Sequence, residues 1–188
     1  IIQYLKELNI LDEHTLLVHA VWVDDTDIEL IRDSGAGVIH CPESNMKLAS
    51  GVSPVPQMID AGIPVGLGTD GCASNNDLDL FAEMDTAAKL HKVVRLDPCV
   101  MDAKSTLRAA TINGAKAIGL DRVTGSIEAG KQADIILVNL DRPHLKPMFD
   151  PYSSLVYSAK SSDVDLVMVD GRVLIRDGRL EGDPKTDA

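Results

Sequence analysis

Aromatic residues are scarce in this sequence, which has one Trp, three Tyr and two Phe among 188 residues. A core built from it must therefore depend on aliphatic packing. Hydrophobic residues make up 45% of the chain and charged residues 25%, which excludes a chain disordered by composition. The length fits one domain, or one domain with a small appendage.

Cysteine is also rare. Cys41, Cys72 and Cys99 are widely spaced, odd in number and not arranged as CxxC. This pattern argues against a disulfide framework and against a structural zinc knuckle, and it favours a reducing compartment. We therefore expect a cytoplasmic protein.

Positive charge is in deficit, with 18 Lys and Arg against 29 Asp and Glu and a net charge of −11. Such a balance argues against binding to nucleic-acid phosphates or to anionic membrane surfaces. No apolar run reaches the roughly 18 residues of a membrane-spanning helix, and the positive start and long apolar stretch of a signal peptide are absent. We expect neither a nucleic-acid partner nor a membrane partner.

The first 120 residues alternate short aliphatic runs with longer amphipathic stretches. Strands are predicted at 15–18, 37–39 and 65–68, and helices at 25–33, 55–61, 78–93 and 105–118. This alternation predicts βαβ units and a parallel sheet covered by helices.

The pattern changes from about residue 121. A β-rich run covers 133–138, and a hairpin is predicted from 164–169 and 172–175 around Asp170-Gly171, a pair that suits a type I′ turn. Prolines at 143, 147 and 151 indicate a loop between these strands. We therefore predict two domains, an α/β unit over 1–120 and an all-β module over 121–188.

Three polar residues follow predicted strands in the same way: His19, His40 and Asp70. In parallel α/β folds the carboxyl ends of the strands form the functional face. Imidazole and carboxylate also suit zinc or iron in a hydrolytic site. A single histidine of this kind is more often structural, but the repeated placement favours a site.

Two loops rich in small and amide residues adjoin these positions, at 41–51 and 71–76. Their side chains could bind a polar ligand or simply cap helices, and capping by Asn76 or Asp77 would explain the second loop. His91, between lysines on a predicted helix, is expected to face solvent. His14, His144 and the cysteines have weaker claims, although Cys72 is close to Asp70.

Five segments resemble the amidohydrolase superfamily, especially its branch of 5-methylthioadenosine/S-adenosylhomocysteine deaminases and triazine chlorohydrolases. They are 18–21 (VHAV), 40–51 (HCPESNMKLASG), 68–76 (GTDGCASNN), 125–134 (GSIEAGKQAD) and 169–172 (VDGR). The resemblance implies an α/β fold, the C-terminal part of a (β/α)8 TIM-type barrel with part of a small β-sandwich domain.

The resemblance also implies roles. His19, His40 and Asp70 would end strands six, seven and eight of the barrel. Asp70 would bind a divalent metal, zinc or alternatively iron, and shuttle a proton, while His19 assists the attacking hydroxide. Asp70, His40, Ser44 and Asn45 are candidates for substrate binding.

The family's other motifs are expected to lie outside this chain. These are an HxH pair on strand one, a metal-binding histidine on strand five and an acid in an HxxE motif. A whole barrel needs about 200–250 residues, so we expect the C-terminal portion of a longer protein, lacking HxH and HxxE and inactive by itself.

Three functions stay open at this point. The first is a metal-dependent aminohydrolase that deaminates a purine nucleoside-like small molecule, as a homo-oligomer at full length. The second is a triazine or pyrimidine hydrolase with another leaving group. The third is a non-catalytic fragment or assembly module.

Overall fold

A computed structural model describes residues 1–181, and its first sheet is parallel as the sequence predicts. Strands β1 (Leu16–Val18), β2 (Gly37–His40) and β3 (Val65–Leu67) lie in the order β1-β2-β3. β3 is buried throughout, whereas Leu16 and Val18 of β1 are exposed. The central strand therefore has a neighbour on each side, and the three polar residues predicted from the sequence, His19, His40 and Asp70, lie at or just beyond the carboxyl ends of the three strands.

Eight α-helices occur in the described part of the chain. They are α1 (Ile2–Glu7), α2 (Asp25–Ser34), α3 (Pro42–Lys47), α4 (Val55–Asp60), α5 (Leu80–Arg95), α6 (Ala103–Ala109), α7 (Ile112–Ala117) and α8 (Pro151–Tyr157). Short 3-10 helices cover Pro143–Leu145 and Ser161–Asp163. None of the helices within residues 1–181 is long and apolar enough to cross a membrane.

The two ends of helix α2 are determined by its local sequence. Asp24 accepts a hydrogen bond from the Asp27 backbone and forms a capping box with it. Gly35 ends the helix with a φ of 78°, a conformation that glycine adopts without strain. Ile28 and Ile31, three residues apart, face the core and are buried.

Several predicted elements differ in detail. The helix predicted over 105–118 is two helices, because the Thr111 backbone is not helical and its hydroxyl donates to the Leu107 carbonyl. Helix α3 lies within the predicted loop 41–51, and Pro151 starts α8 instead of belonging to a loop. Asp79, rather than Asn76 or Asp77, caps α5 by accepting from two backbone amides.

Helix α7 packs very closely on the sheet. A Cβ added to Gly66 would lie 2.8 Å from the Gly114 Cα, and one added to Gly37 would lie 2.0 Å from the Ala117 carbonyl oxygen. Only glycine permits this approach of helix and strand backbones. The buried core around it is aliphatic and includes Ile31, Met58 and Val65.

The second sheet is antiparallel, with strands β4 (Ile135–Val138), β5 (Val164–Val169), β6 (Arg172–Arg176) and β7 (Arg179–Leu180) in sequence order. The predicted hairpin is confirmed, with positive φ at Asp170 and Gly171. Helix α8, which follows β4, packs against α5 and α6. The division at residue 120 stays a prediction, and its last seven positions, 182–188, lie outside the described residues.

Candidate active site

The backbone turns sharply directly after two of the parallel strands. His19 follows β1 and Asp70 lies three residues beyond β3, with φ values of 73° and 59°. The His19 amide still donates to the Ile39 carbonyl, so the turn starts from the sheet itself. Left-handed backbone at residues other than glycine costs about 1–3 kcal/mol and is concentrated at functional sites.

Two serine hydroxyls hold the Asp70 carboxylate. Ser74 and Ser44 each donate to Oδ2 at 2.7 Å. These two hydrogen bonds, that of Ser74 above all, lower the pKa of Asp70 to about 2. Asp70 is therefore an ionised carboxylate at neutral pH and is available to a cation.

His19 lies beside Asp70, with 3.8 Å between Nε2 and Oδ2. Its other nitrogen, Nδ1, is 2.9 Å from Oδ1 of Asn45. Asn45 and Ser44 are neighbours on α3, so one helical turn contacts both His19 and Asp70. Both α3 residues are buried, with 2% and 1% of their surface exposed.

The four residues His19, Ser44, Asn45 and Asp70 line one cavity of about 480 Å³. Its other walls are mainly apolar and come from α1, from β1 and from the segment after His19. An apolar cavity with a few converging polar groups is the usual form of a small-molecule site.

His40, the last residue of β2, is fully buried and does not line this cavity. Its Nε2 lies 3.1 Å from Nε2 of His91, which is also buried, so the expectation that His91 faces solvent is wrong. Met84, Ala87 and Ala88, at helical spacing before His91, are buried too and were the signal for its inward face. Substrate binding by His40 stays a prediction without a contact to support it.

A buried carboxyl group connects the two loops. Glu83 of α5 accepts from the Asn75 side chain at 2.7 Å and from the Glu43 backbone at 3.3 Å. Asn75 also donates to the Thr69 carbonyl beside Asp70. Burial raises the pKa of Glu83 to about 7. Neither Glu83 nor Ser74 is predicted as a site residue, because nothing in their local sequence separates them from ordinary helix and loop residues.

The expected absence of HxxE needs a correction, and a second short motif needs an explanation. Residues 40–43 (HCPE) do have HxxE spacing, but His40 is buried and Glu43 accepts from Thr86 at 2.8 Å, with neither residue lining the cavity. Residues 66–71 (GLGTDG) have GxGxxG spacing, yet a turn follows them instead of the helix that a dinucleotide-binding turn requires. Neither spacing adds a catalytic group here.

Among the described residues, a metal ion would find an incomplete set of donors. Asp70 offers an ionised oxygen, and His19 is the imidazole beside it. Across residues 1–181, no cluster of three or more His, Cys, Asp or Glu side chains is placed to hold a metal. A catalytic zinc site normally has three protein ligands, so these residues by themselves do not fit one.

The chain is similar in sequence and in fold to known proteins. The model of the amidohydrolase family matches residues 1–174. A 5-methylthioadenosine/S-adenosylhomocysteine deaminase of Syntrophus aciditrophicus is 54% identical over 176 residues, which cover 94% of this chain and 40% of the relative.

Two solved structures are also similar. An adenosine deaminase from Xanthomonas campestris with bound zinc has a TM-score of 0.95 and 40% identity, over 98% of this chain and 42% of that one. An atrazine chlorohydrolase from Arthrobacter aurescens, complexed with zinc, has a TM-score of 0.90 and 28% identity, over 98% and 41%. The chain thus spans about two fifths of the length of the proteins it matches.

Proposed function

Because this chain belongs to the amidohydrolase family, we propose that it is the C-terminal part of a metal-dependent aminohydrolase that deaminates an adenosine-type purine. The observation that carries the proposal is the pairing of His19 and Asp70 at one cavity wall, 3.8 Å apart. The deaminase names of the Syntrophus and Xanthomonas proteins support the choice of substrate class.

Asp70 moves the proton in the proposed reaction. Its ionised carboxylate accepts a proton from the attacking water and later passes it to the departing ammonia. The hydroxyls of Ser44 and Ser74 keep the carboxylate in place during both transfers. His19 hydrogen-bonds the attacking water from the neighbouring side and so fixes its approach to the ring carbon.

Asp70 would also be one ligand of a divalent metal, and the remaining ligands would come from residues outside this chain. Zinc is proposed over iron because the Xanthomonas structure holds zinc. When bound, such a metal makes water reactive near neutral pH. Ser44 and Asn45 contact Asp70 and His19, respectively, and both line the cavity. They are proposed to contact the substrate from this position in the cavity wall.

Replacing Asp70 tests the proposal directly. In the intact protein, Asp70→Asn should lower the release of ammonia from methylthioadenosine and adenosylhomocysteine by about 10²-fold or more. Asp60→Asn is the matched control, since Asp60 is exposed at the end of α4. Near-normal deamination by Asp70→Asn would refute the assignment.

A second candidate is a triazine or pyrimidine hydrolase, favoured by the TM-score of 0.90 with the atrazine chlorohydrolase. The His19 and Asp70 roles would be unchanged and the leaving group would differ. Assaying adenosine, methylthioadenosine, adenosylhomocysteine and chlorotriazines with one preparation separates the two. Turnover of none of them, together with a purified mass near 20 kDa and no bound metal, would favour a non-catalytic module instead.

Assembly and location complete the proposal. The full-length enzyme would act in the cytoplasm as a homo-oligomer on a small molecule, without a nucleic-acid or membrane partner. Free thiols at Cys41, Cys72 and Cys99 agree with a reducing compartment.

A further inference from the structure

Asn45 makes a hydrogen bond to His19 that has a defined direction. Its Oδ1 lies 2.9 Å from His19 Nδ1, and an amide oxygen can only accept. The proton of a neutral His19 ring must therefore be on Nδ1. The other ring nitrogen, Nε2, is left with a lone pair.

That lone pair faces Asp70. The distance from Nε2 to Oδ2 is 3.8 Å, too long for a hydrogen bond, and Oδ2 already accepts from Ser44 and Ser74. The ionised carboxylate of Asp70 is nevertheless a stronger hydrogen-bond acceptor than the amide oxygen of Asn45, because a hydrogen bond to a charged acceptor is stronger than one to a neutral acceptor. Without Asn45, the ring proton would move to Nε2 and point at Asp70.

We propose that Asn45 is a positioning residue that holds the proton of neutral His19 on Nδ1 and so keeps Nε2 as an acceptor facing the cavity. Nε2 can then bind an O–H or N–H donor of the reacting molecules next to Asp70. The catalytic consequence rests on the proposed function, whereas the position of the proton does not.

A second observation separates this role from simple packing. Asn45 is 2% exposed, and its Nδ2 has no hydrogen-bond partner among residues 1–181. A buried donor without a partner destabilises a fold. Leucine, which has nearly the same shape, would remove that cost, so the amide is better explained by its contact with His19 than by stability.

The test follows the ring nitrogens of the intact protein by 15N NMR, with histidine labelled and the imidazoles neutral. We expect His19 Nδ1 to be protonated and Nε2 unprotonated in the wild type. Asn45→Leu should reverse the two without lowering the melting temperature, and Asn45→Asp, which keeps an acceptor oxygen, should preserve the wild-type pattern. If the leucine variant does not fold, Asn45→Ala tests the same reversal.

His144 is an internal control in every spectrum, since its Nε2 lies 2.8 Å from Oδ2 of Asp163, far along the chain from Asn45. Its signals should not change in any variant. An unchanged His19 tautomer in folded Asn45→Leu or Asn45→Ala would overturn the inference.

Activity gives an independent readout. In the protein with its metal, Asn45→Leu should lower kcat on the order of 10–100-fold, as loss of a supporting hydrogen bond does elsewhere, and Asn45→Asp should restore part of it. Loss of kcat without the tautomer change would also contradict the inference. An active Asp70→Asn enzyme would refute the proposed function and leave the NMR result standing.

Discussion

His40 and His91 share one hydrogen bond inside the protein, with 3.1 Å between their Nε2 atoms. One ring must donate and the other accept, so at least one of the two rings must be neutral for this hydrogen bond to form. Burial lowers the pKa of His40 to about 3 and that of His91 to about 4. The contact joins the end of β2 to α5. β2 lies between the strands that precede His19 and Asp70, and α5 is the helix that follows the Asp70 loop.

Acid should weaken this contact. Between about pH 6.5 and pH 4 the unfolded chain binds protons at these histidines that the folded chain does not, so stability falls as pH falls. We expect His91→Gln, which can still hydrogen-bond but does not titrate, to reduce that loss by about 1–3 kcal/mol. Urea unfolding across this range measures it, with exposed His14→Gln as the control. Equal slopes for both variants would argue against the neutral pair.

Glu83 should have the opposite dependence. Its pKa is raised to about 7, so the folded chain holds a proton there that the unfolded chain releases from about pH 4.5. Stability from this group is therefore complete below pH 4.5 and is lost as pH rises through 7. We expect Glu83→Gln to flatten the decline in unfolding free energy between pH 5 and 8.

The matched control is Glu29→Gln, on the exposed face of α2. It should leave the pH dependence unchanged. A Glu83→Gln protein that loses stability with rising pH as steeply as wild type would show that another group is responsible.

The close contact between β3 and α7 should make Gly66 intolerant of a side chain. The added methyl group would lie 2.8 Å from the Gly114 Cα and 2.9 Å from Ile39 Cδ1. We expect Gly66→Ala to lower the free energy of unfolding by about 1–3 kcal/mol. Gly71→Ala is the comparison, because its nearest new neighbour is Ser74 Oγ at 3.9 Å. Similar melting temperatures for the two variants would contradict this close contact between β3 and α7.

Zinc should bind the isolated chain only weakly. Asp70 and His19 are two donors where catalytic zinc has three or more protein ligands. We expect calorimetry to detect no tight zinc site in residues 1–188, and no deamination with added zinc or iron. Under the proposed function, a longer chain that supplies further metal ligands should gain both. Adenosine-type deamination by the rigorously purified 188-residue chain would show that the site is misplaced.

The positions of His19, His40 and Asp70 could be predicted because parallel strands bring their carboxyl ends to one edge. The direction of each side chain could not. Two of them reach the cavity and His40 points to α5, a choice set by packing around His91 that strand periodicity does not encode.

Two other features, the break between α6 and α7 and the contacts of Ser44 and Asn45, were not predicted from the sequence pattern. The break between α6 and α7 depends on the backbone at Thr111. The helix formers at 107–110 hide it, whereas Asn113 and Gly114, which are poor helix formers, were a signal that the prediction of one helix over 105–118 did not use. Ser44 and Asn45 were selected as ligands for a substrate, since their polarity was visible in the sequence. Their contacts with His19 and Asp70 depend on α3 crossing between two strand ends, which is a property of the folded chain.

Consecutive residues of α3 thus hold both groups of the candidate site, Ser44 on Asp70 and Asn45 on His19. The relative placement of the two groups is therefore linked to the position of this one helical turn. The spacing of carboxylate and imidazole is thus set within residues 1–181, and in the proposed full-length enzyme only their alignment with the substrate would depend on other parts of the protein.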